Sequence, residues 1–181
     1  SPLFRLSGHK PVCLKDPCGH GVTDPHFEWK AYEKNGIWEY LLEMKRTGVV
    51  RHIGLSSHTP ALARKILDTG AVEQLMFSIN PAYDYQHGDY ARGSASERME
   101  LYRRCEAEGI GISVMKPYFG GQLLNADTSP FGQALTQYQC IQYALDKPGV
   151  LTVLPGIRNT EDVKLLSDFF KASDEERDYS I

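Results

Sequence analysis

Four groups of residues have side chains that could bind a ligand, and each group follows an apolar segment. The groups are Ser56, Ser57 and His58; Asn80, Pro81 and Tyr83; Met115, Lys116 and Pro117; and Gly156, Ile157 and Arg158. Hydroxyl and carboxamide groups can hydrogen-bond an amide of a ligand. A glycine and an arginine ahead of a helix can hold a phosphate through backbone N–H groups, the helix dipole and the guanidinium. Taken singly, each residue is also explained by capping of a helix or turn.

The apolar segments predict strands, and the segments between them predict helices. The predicted strands span 49–55, 74–80, 111–115 and 150–154, and the predicted helices span 36–45, 60–67, 95–108, 133–146 and 160–170. Strands and helices that alternate every ~30–40 residues are typical of βαβ crossovers and a parallel α/β sheet. A doubly wound sheet and a part of an eight-stranded barrel both fit this pattern. In both architectures ligands bind at the C-terminal ends of the strands, where the four polar groups lie.

Three regions differ in composition, and we interpret them as an arm, a domain and a tail. Residues 1–34 are rich in proline, glycine and histidine and have no sustained period, which predicts a loop-rich arm. Residues 35–171 hold the regular alternation of strands and helices. Residues 172–181 are acidic and polar, and we expect them to form a polar tail.

The cysteines do not predict a disulfide framework in a chain of this length. Four possible zinc ligands lie in the arm, namely His9, Cys13, Cys18 and His20. Their spacing matches no common structural zinc site, so we predict no metal. Cys105 and Cys140 lie in predicted helices, where a buried thiol behaves as a small hydrophobic group.

The bulk composition fits one soluble domain. The chain has 181 residues, of which 41% are hydrophobic and 24% charged, with a formal net charge of -3. A small negative charge gives no reason to expect a nucleic acid or an anionic membrane as partner. The sequence has neither the run of roughly 20 apolar residues that a membrane-spanning helix needs nor the layout of a signal peptide, which favours a cytoplasmic protein.

Four segments resemble motifs of the aldo/keto reductase family. They are Arg51–Ser57, similar to R-x-I-G-(V/L)-S-N; Ile79–Tyr83; Cys105–Ile110 with Val114–Pro117, similar to C-x-x-x-G-I…A-Y-S-P-L; and Val153–Gly156, similar to (V/I)-I-P-G. The order is that of the family, over about the fifth to eighth βα units of its barrel. The resemblance implies the second half of a TIM-type (β/α)8 barrel and an NAD(P)(H)-dependent oxidoreductase of carbonyl or alcohol substrates. The residues of these segments are most similar to those of a microbial branch that often carries a C-terminal ferredoxin-like segment. No iron–sulfur cluster is assignable to this chain.

The resemblance also implies a set of cofactor-binding residues for NADP or NAD. The set is Ser56, Ser57, Asn80, Met115, Lys116, Pro117, Gly120, Gly156 and Arg158. The two serines and the asparagine would face the nicotinamide carboxamide, the 117–120 loop the pyrophosphate, and the 156–158 segment a phosphate. Lys116 is expected to pair with a carboxylate or a ligand phosphate rather than to form a Schiff base. His58 is expected to be a cap or rim residue rather than a base.

The sequence departs from the family in three places. Met115 stands where the family has a stacking tyrosine, and Leu165 and Leu166 stand where many members have Glu-Asn near the adenine. The family's catalytic Asp, Tyr, Lys and His come from its first four strands, for which this chain shows no counterpart, so no catalytic residue is assigned. We therefore expect the chain alone to be inactive.

Half a barrel would also have two open sheet edges. Pairing with a second copy of the chain, as a homo-oligomer, or completion by another chain would cover these edges, and the completed site would accept a small carbonyl substrate. The alternative is a non-catalytic module that binds a nucleotide or a partner protein.

Overall fold

Five parallel strands form the sheet of this chain. The computed structural model describes residues 12–15, 34, 36–88 and 91–180. The strands are β1 (Val12–Lys15), β2 (Ile53–Ser57), β3 (Val72–Ser78), β4 (Gly111–Met115) and β5 (Val150–Leu154), and they lie side by side in chain order. The parallel α/β fold class is therefore as predicted.

Helices lie between the strands as crossovers and after the last strand. They are α1 (Ile37–Arg46), α2 (Pro60–Leu67), α3 (Pro81–Asp84), α4 (Ala95–Ala107), α5 (Gln137–Leu145), α6 (Thr160–Asp168) and α7 (Asp174–Arg177), with 3-10 turns at Phe119–Leu124 and Phe169–Lys171. Within the described part of the chain, no helix has both the length and the apolar character that crossing a bilayer requires.

Residues 1–34, which were predicted as a loop-rich arm, contain one short strand. Residues Val12–Lys15 form β1, which pairs in parallel with β2, Val12 lying opposite Ile53. This strand has only four residues, and its partner lies about forty positions along the chain, so local periodicity carries almost no signal for it. The other possible zinc ligands of the arm, His9, Cys18 and His20, lie outside the described residues, as do the side chains of Val12–Lys15.

Two predicted strands were displaced by a few residues, because neighbouring turns take part of each apolar run. The N–H of Val50 donates to the carbonyl of Met44, so this end of the run belongs to the turn after α1, and β2 starts only at Ile53. At the other strand, Asn80 is the N-cap of α3, and β3 therefore ends at Ser78.

The core lies between the sheet and the helices of its outer layer. The middle strands are its centre, with Leu55, Leu75, Phe77, Ile112 and Val114 all buried. Their register places Ser57 opposite Phe77, and Ser78 opposite Met115, which in turn lies opposite Leu154. The C-terminal ends of β2 to β5 are therefore nearly level, so the residues after them share one edge of the sheet.

The residues predicted as a polar tail pack against α5. Ser173 and Glu176 form a capping box that starts α7. Farther along, the Gln139 side chain donates to the carbonyl of Asp178 at 2.7 Å, and the Tyr179 hydroxyl donates to Asp146 at 2.9 Å. The tail is thus an ordered cover on one helix of the domain.

The surface formed by β5, α6 and the 3-10 turn that follows α6, here called the β5–α6 surface, is apolar and open. Leu151 is 73% exposed and Phe170 is 86% exposed, and Leu154 is also exposed. In contrast to the middle strands, β5 has no fully buried residue, and α6 has none either. Among the described residues β5 is an edge strand of the sheet, so its far side has no strand paired to it.

Candidate functional site

The structure brings the four polar groups to one rim at the C-terminal ends of the strands. Ser56 and Ser57 end β2, Asn80 follows β3, and Met115 ends β4. Lys116 and Pro117 follow directly, and Gly156 and Arg158 lie just beyond β5. Three of the nine predicted residues are buried, namely Ser57, Asn80 and Pro117, and the others are partly or largely exposed. The predicted residues therefore lie along one edge of the sheet rather than at scattered positions.

At the end of β2, the polar side chains tie the strand to its surroundings. The Ser57 hydroxyl accepts a hydrogen bond from the Thr59 N–H at 3.0 Å and so orders the turn into α2. His58 is buried, and its Nδ1 lies 3.0 Å from the Ser78 hydroxyl. The histidine thus lies at the strand-end rim and links the ends of β2 and β3.

Asn80 fastens the end of β3 to the end of β4. Its carboxamide oxygen accepts from the Tyr83 N–H at 2.8 Å, and its Nδ2 donates to the carbonyl of Lys116 at 2.9 Å. Lys116 has a φ of 56° and Phe119 a φ of 53°, both in the left-handed region that non-glycine residues rarely adopt. Such strain persists only where neighbouring contacts enforce it, and the Asn80 hydrogen bond is one of these contacts.

The loop after β4 exposes backbone to an approaching ligand. Gly120 and Gly121 also have positive φ values, 69° and 95°, and no atom lies within 4 Å of where a Cβ would be added to either one. Gly156, beyond β5, likewise has open space beside its Cα. At these three positions beside the rim, an anionic group could approach the main chain closely.

An aspartate competes for the predicted phosphate site ahead of α6. Asp162 accepts a hydrogen bond from the Arg158 backbone N–H at 2.8 Å and lies 3.6 Å from the Arg158 Nε. Asn159 completes the cap by accepting from the Asp162 N–H at 3.0 Å. A phosphate bound by the Arg158 N–H would have to displace the carboxylate, whereas the Arg158 side chain, 83% exposed, has room to turn towards a ligand.

A buried charged cluster beside the rim was not predicted from the sequence. Asp84 accepts from the Arg98 Nε at 2.6 Å and from the Tyr102 hydroxyl at 2.8 Å through one oxygen, and from the Tyr143 hydroxyl at 2.8 Å through the other. The spacing of Arg98, Tyr102 and Cys105 on α4 does place these residues on one helix face. This face is buried in the structure. The helical spacing of these residues was the only signal of the cluster that the sequence contained.

The two tyrosines of this cluster are hydrogen-bond donors and not acids. Burial, together with the nearby Asp84 carboxylate, raises the pKa of Tyr102 and the pKa of Tyr143 well above the usual tyrosine value. A tyrosine that acts as a general acid needs a pKa shifted the other way, towards the working pH. The role of the Asp84 cluster is therefore structural rather than catalytic.

The thiols predicted to be buried are so. Burial raises the pKa of Cys105 to about 12 and that of Cys140 to about 12. Because the thiolate is the reactive form, both side chains act as small hydrophobic groups.

Replacing Tyr118 by phenylalanine is expected to raise the free energy of unfolding by about 1 kcal/mol. The Tyr118 hydroxyl is buried, and among the described residues no group forms a hydrogen bond with it. Burial raises the pKa of Tyr118, so the hydroxyl stays protonated and its desolvation is uncompensated. Urea unfolding followed by circular dichroism measures the change. Tyr143→Phe is the matched control and should destabilise, because its hydroxyl bonds Asp84; a loss of stability in Tyr118→Phe as well would contradict the assignment.

Comparisons with known proteins agree with the geometry. The sequence model of the aldo/keto reductase family matches residues 22–136. The solved aldo-keto reductase AKR11C1 from Bacillus halodurans is similar in its holo form, with 23% identity and a TM-score of 0.56 over 91% of this chain and 57% of that one. Its apo form gives 21% identity and a TM-score of 0.53 over 91% and 58%. This chain therefore spans less than three fifths of the length of those structures, and at such identities the likeness establishes the fold. A search of curated proteins found no match.

Proposed function

The chain belongs to the aldo/keto reductase family, and from this premise we propose that its strand-end rim binds a nicotinamide dinucleotide used in carbonyl reduction. The observation that carries the proposal is the level register of β2 to β5, which gathers the nine predicted residues on one edge. One of the similar solved structures is a holo form, which supports cofactor use in the same fold.

The residues of the rim fit such a cofactor. Ser56 offers a hydroxyl for the nicotinamide amide, and Met115 offers an apolar surface for its ring. Asn80 is buried, and it supports this end of the site by holding the carbonyl of Lys116. The open backbone at Gly120 suits the pyrophosphate, because no side chain keeps the phosphates away. Arg158 would hold a phosphate at the adenosine end of the cofactor through its exposed guanidinium. When bound, the cofactor supplies the hydride.

We propose further that this chain contributes cofactor binding and not the proton donor. The sequence shows no counterpart of the family's catalytic tetrad. The buried tyrosines Tyr102 and Tyr143 cannot replace its tyrosine, because their pKa values are raised and their hydroxyls are engaged by Asp84. The chain alone should bind cofactor without turning over an aldehyde.

Titration with the reduced cofactor tests this function, and it uses two variants whose expected effects on affinity are opposite. Binding of NADPH, or of NADH, is followed through the fluorescence of its reduced nicotinamide. Arg158→Ala should weaken binding about tenfold, because a charge-assisted hydrogen bond is lost. Asp162→Asn should tighten it, because a competing negative charge leaves the phosphate site.

The control for this titration is Lys171→Ala, which removes an exposed positive charge beyond the far end of α6 and should leave affinity unchanged. Absence of binding for both NADPH and NADH at millimolar concentration would sink the proposal. It would favour instead a module that binds a partner protein.

The open β5 surface leads to a proposal about assembly. We propose that a second copy of the chain covers Leu151, Leu154 and Phe170. These side chains are exposed on an edge strand, and the opposite edge of the sheet is β1. Since all five strands are parallel, a second copy rotated about an axis along the strands would bring its own β1 beside β5.

A further inference from the structure

The Arg98 guanidinium joins the buried charged cluster to the end of β3. Its side chain is fully buried; its Nε donates to Asp84, and its Nη2 donates to the carbonyl of Ser78. The guanidinium also stacks 5.0 Å from the centre of the Phe77 ring. The planar guanidinium can make these contacts simultaneously, because its N–H donors point in fixed directions.

Ser78, at the end of β3, connects the buried charged cluster to the rim. Its carbonyl is held by Arg98, and its hydroxyl lies 3.0 Å from His58 Nδ1 at the end of β2. Two residues farther on, Asn80 donates to the carbonyl of Lys116 at the end of β4. The position of Ser78 therefore influences the positions of the ends of β2, β3 and β4, which face the proposed nicotinamide.

The other members of the cluster do not reach the rim in this way. Tyr102 and Tyr143 each donate one hydrogen bond to Asp84, and neither hydroxyl donates to Ser78. Within the described cluster, Arg98 is the member that hydrogen-bonds the carbonyl of Ser78, whereas Tyr102 reaches this strand only through an edge-on ring contact with Phe77.

We infer that Arg98 is a positioning residue for the nicotinamide end of the cofactor site. The inference rests on the proposed function and adds to it a residue that never touches the ligand. Because Arg98 holds the carbonyl of Ser78, two residues before Asn80, and not the segment 156–158, its effect is confined to the nicotinamide end. Binding of the adenosine end should be independent of it.

The test compares Arg98→Lys with Tyr102→Phe. Lysine keeps the positive charge beside Asp84 but, as a single point charge, cannot also hold the carbonyl of Ser78 in the same geometry. Tyr102→Phe removes a hydrogen bond from the same cluster and leaves the Ser78 contact in place. Each full-length variant is titrated with NADPH and with 2′,5′-ADP, which carries the adenosine end alone; NADH and ADP-ribose replace them if the parent chain prefers NADH.

Arg98→Lys should weaken NADPH binding about tenfold and leave 2′,5′-ADP binding unchanged, while Tyr102→Phe should change neither. Equal weakening of both ligands by Arg98→Lys, no weakening at all, or the same NADPH loss in Tyr102→Phe would overturn the inference. If Arg98→Lys does not fold, Phe77→Leu removes the ring that supports the guanidinium and should give the same selective loss, several-fold in size. Failure of the parent chain to bind NADPH and NADH would refute the proposed function itself, and the inference with it.

Discussion

Replacing Asp84 by leucine is expected to lower the free energy of unfolding by about 3–5 kcal/mol, the largest change we expect from a single substitution. The substitution leaves the fully buried Arg98 guanidinium without its counter-charge. It also leaves the buried hydroxyls of Tyr102 and Tyr143 without their acceptor. A buried charge that loses its partner is costly, because neither water nor another group replaces the lost interaction.

Urea unfolding followed by circular dichroism measures this loss. Glu43→Gln is the control, because it breaks an ion pair with Arg46 that lies on the surface, and it should leave the urea midpoint unchanged. The double variant Asp84→Leu/Arg98→Met should recover part of the loss, since the unpaired charge is then absent. A midpoint for Asp84→Leu equal to that of the parent chain would contradict the view that this cluster stabilises the fold.

Replacing Leu151 and Phe170 by serine is expected to weaken self-association of the chain about 100-fold or more, because burial of each such side chain is worth ~1.5–3 kcal/mol. Both side chains are highly exposed on the β5–α6 surface. Monomeric soluble proteins seldom expose a contiguous apolar patch of this kind. Sedimentation equilibrium at several protein concentrations gives the association constant.

The control for association is Val49→Ser, which removes an exposed apolar side chain in the turn before β2, away from the β5–α6 surface. It should leave the association constant unchanged. A parent chain that is monomeric at tens of micromolar concentration and unfolds cooperatively would refute the proposal that a second copy covers this surface.

The strands whose limits depend on local signals were predictable. The apolar runs 111–115 and 150–154 coincide with β4 and β5, since glycine or proline bounds each run. β1 was missed because a strand of four residues is defined by its pairing with a distant segment, which local sequence does not encode. Prediction was therefore best where turn residues punctuate the chain and worst where tertiary pairing decides.

The position of the candidate residues at the strand ends was predictable, but their hydrogen bonds were not. The rule that ligands bind at the C-terminal ends of parallel strands was enough to select Ser57, Asn80 and Arg158. Nothing in the sequence showed that Asn80 would bond the carbonyl of Lys116, or that Asp162 would occupy the Arg158 N–H, because each depends on distances between side chain and backbone in the folded chain. The pairing of Asp84 with Arg98 was hidden for the same reason.

Hydrogen exchange with and without reduced cofactor tests the central claim, namely that the strand-end rim is a nicotinamide-dinucleotide site. The account predicts that NADPH or NADH slows amide exchange in the segments 55–59, 115–121 and 156–160. It also predicts unchanged exchange in α1 and in the tail, which lie away from the rim. Unchanged exchange throughout the chain at saturating cofactor, or slowing confined to α5 and the tail, would contradict the account.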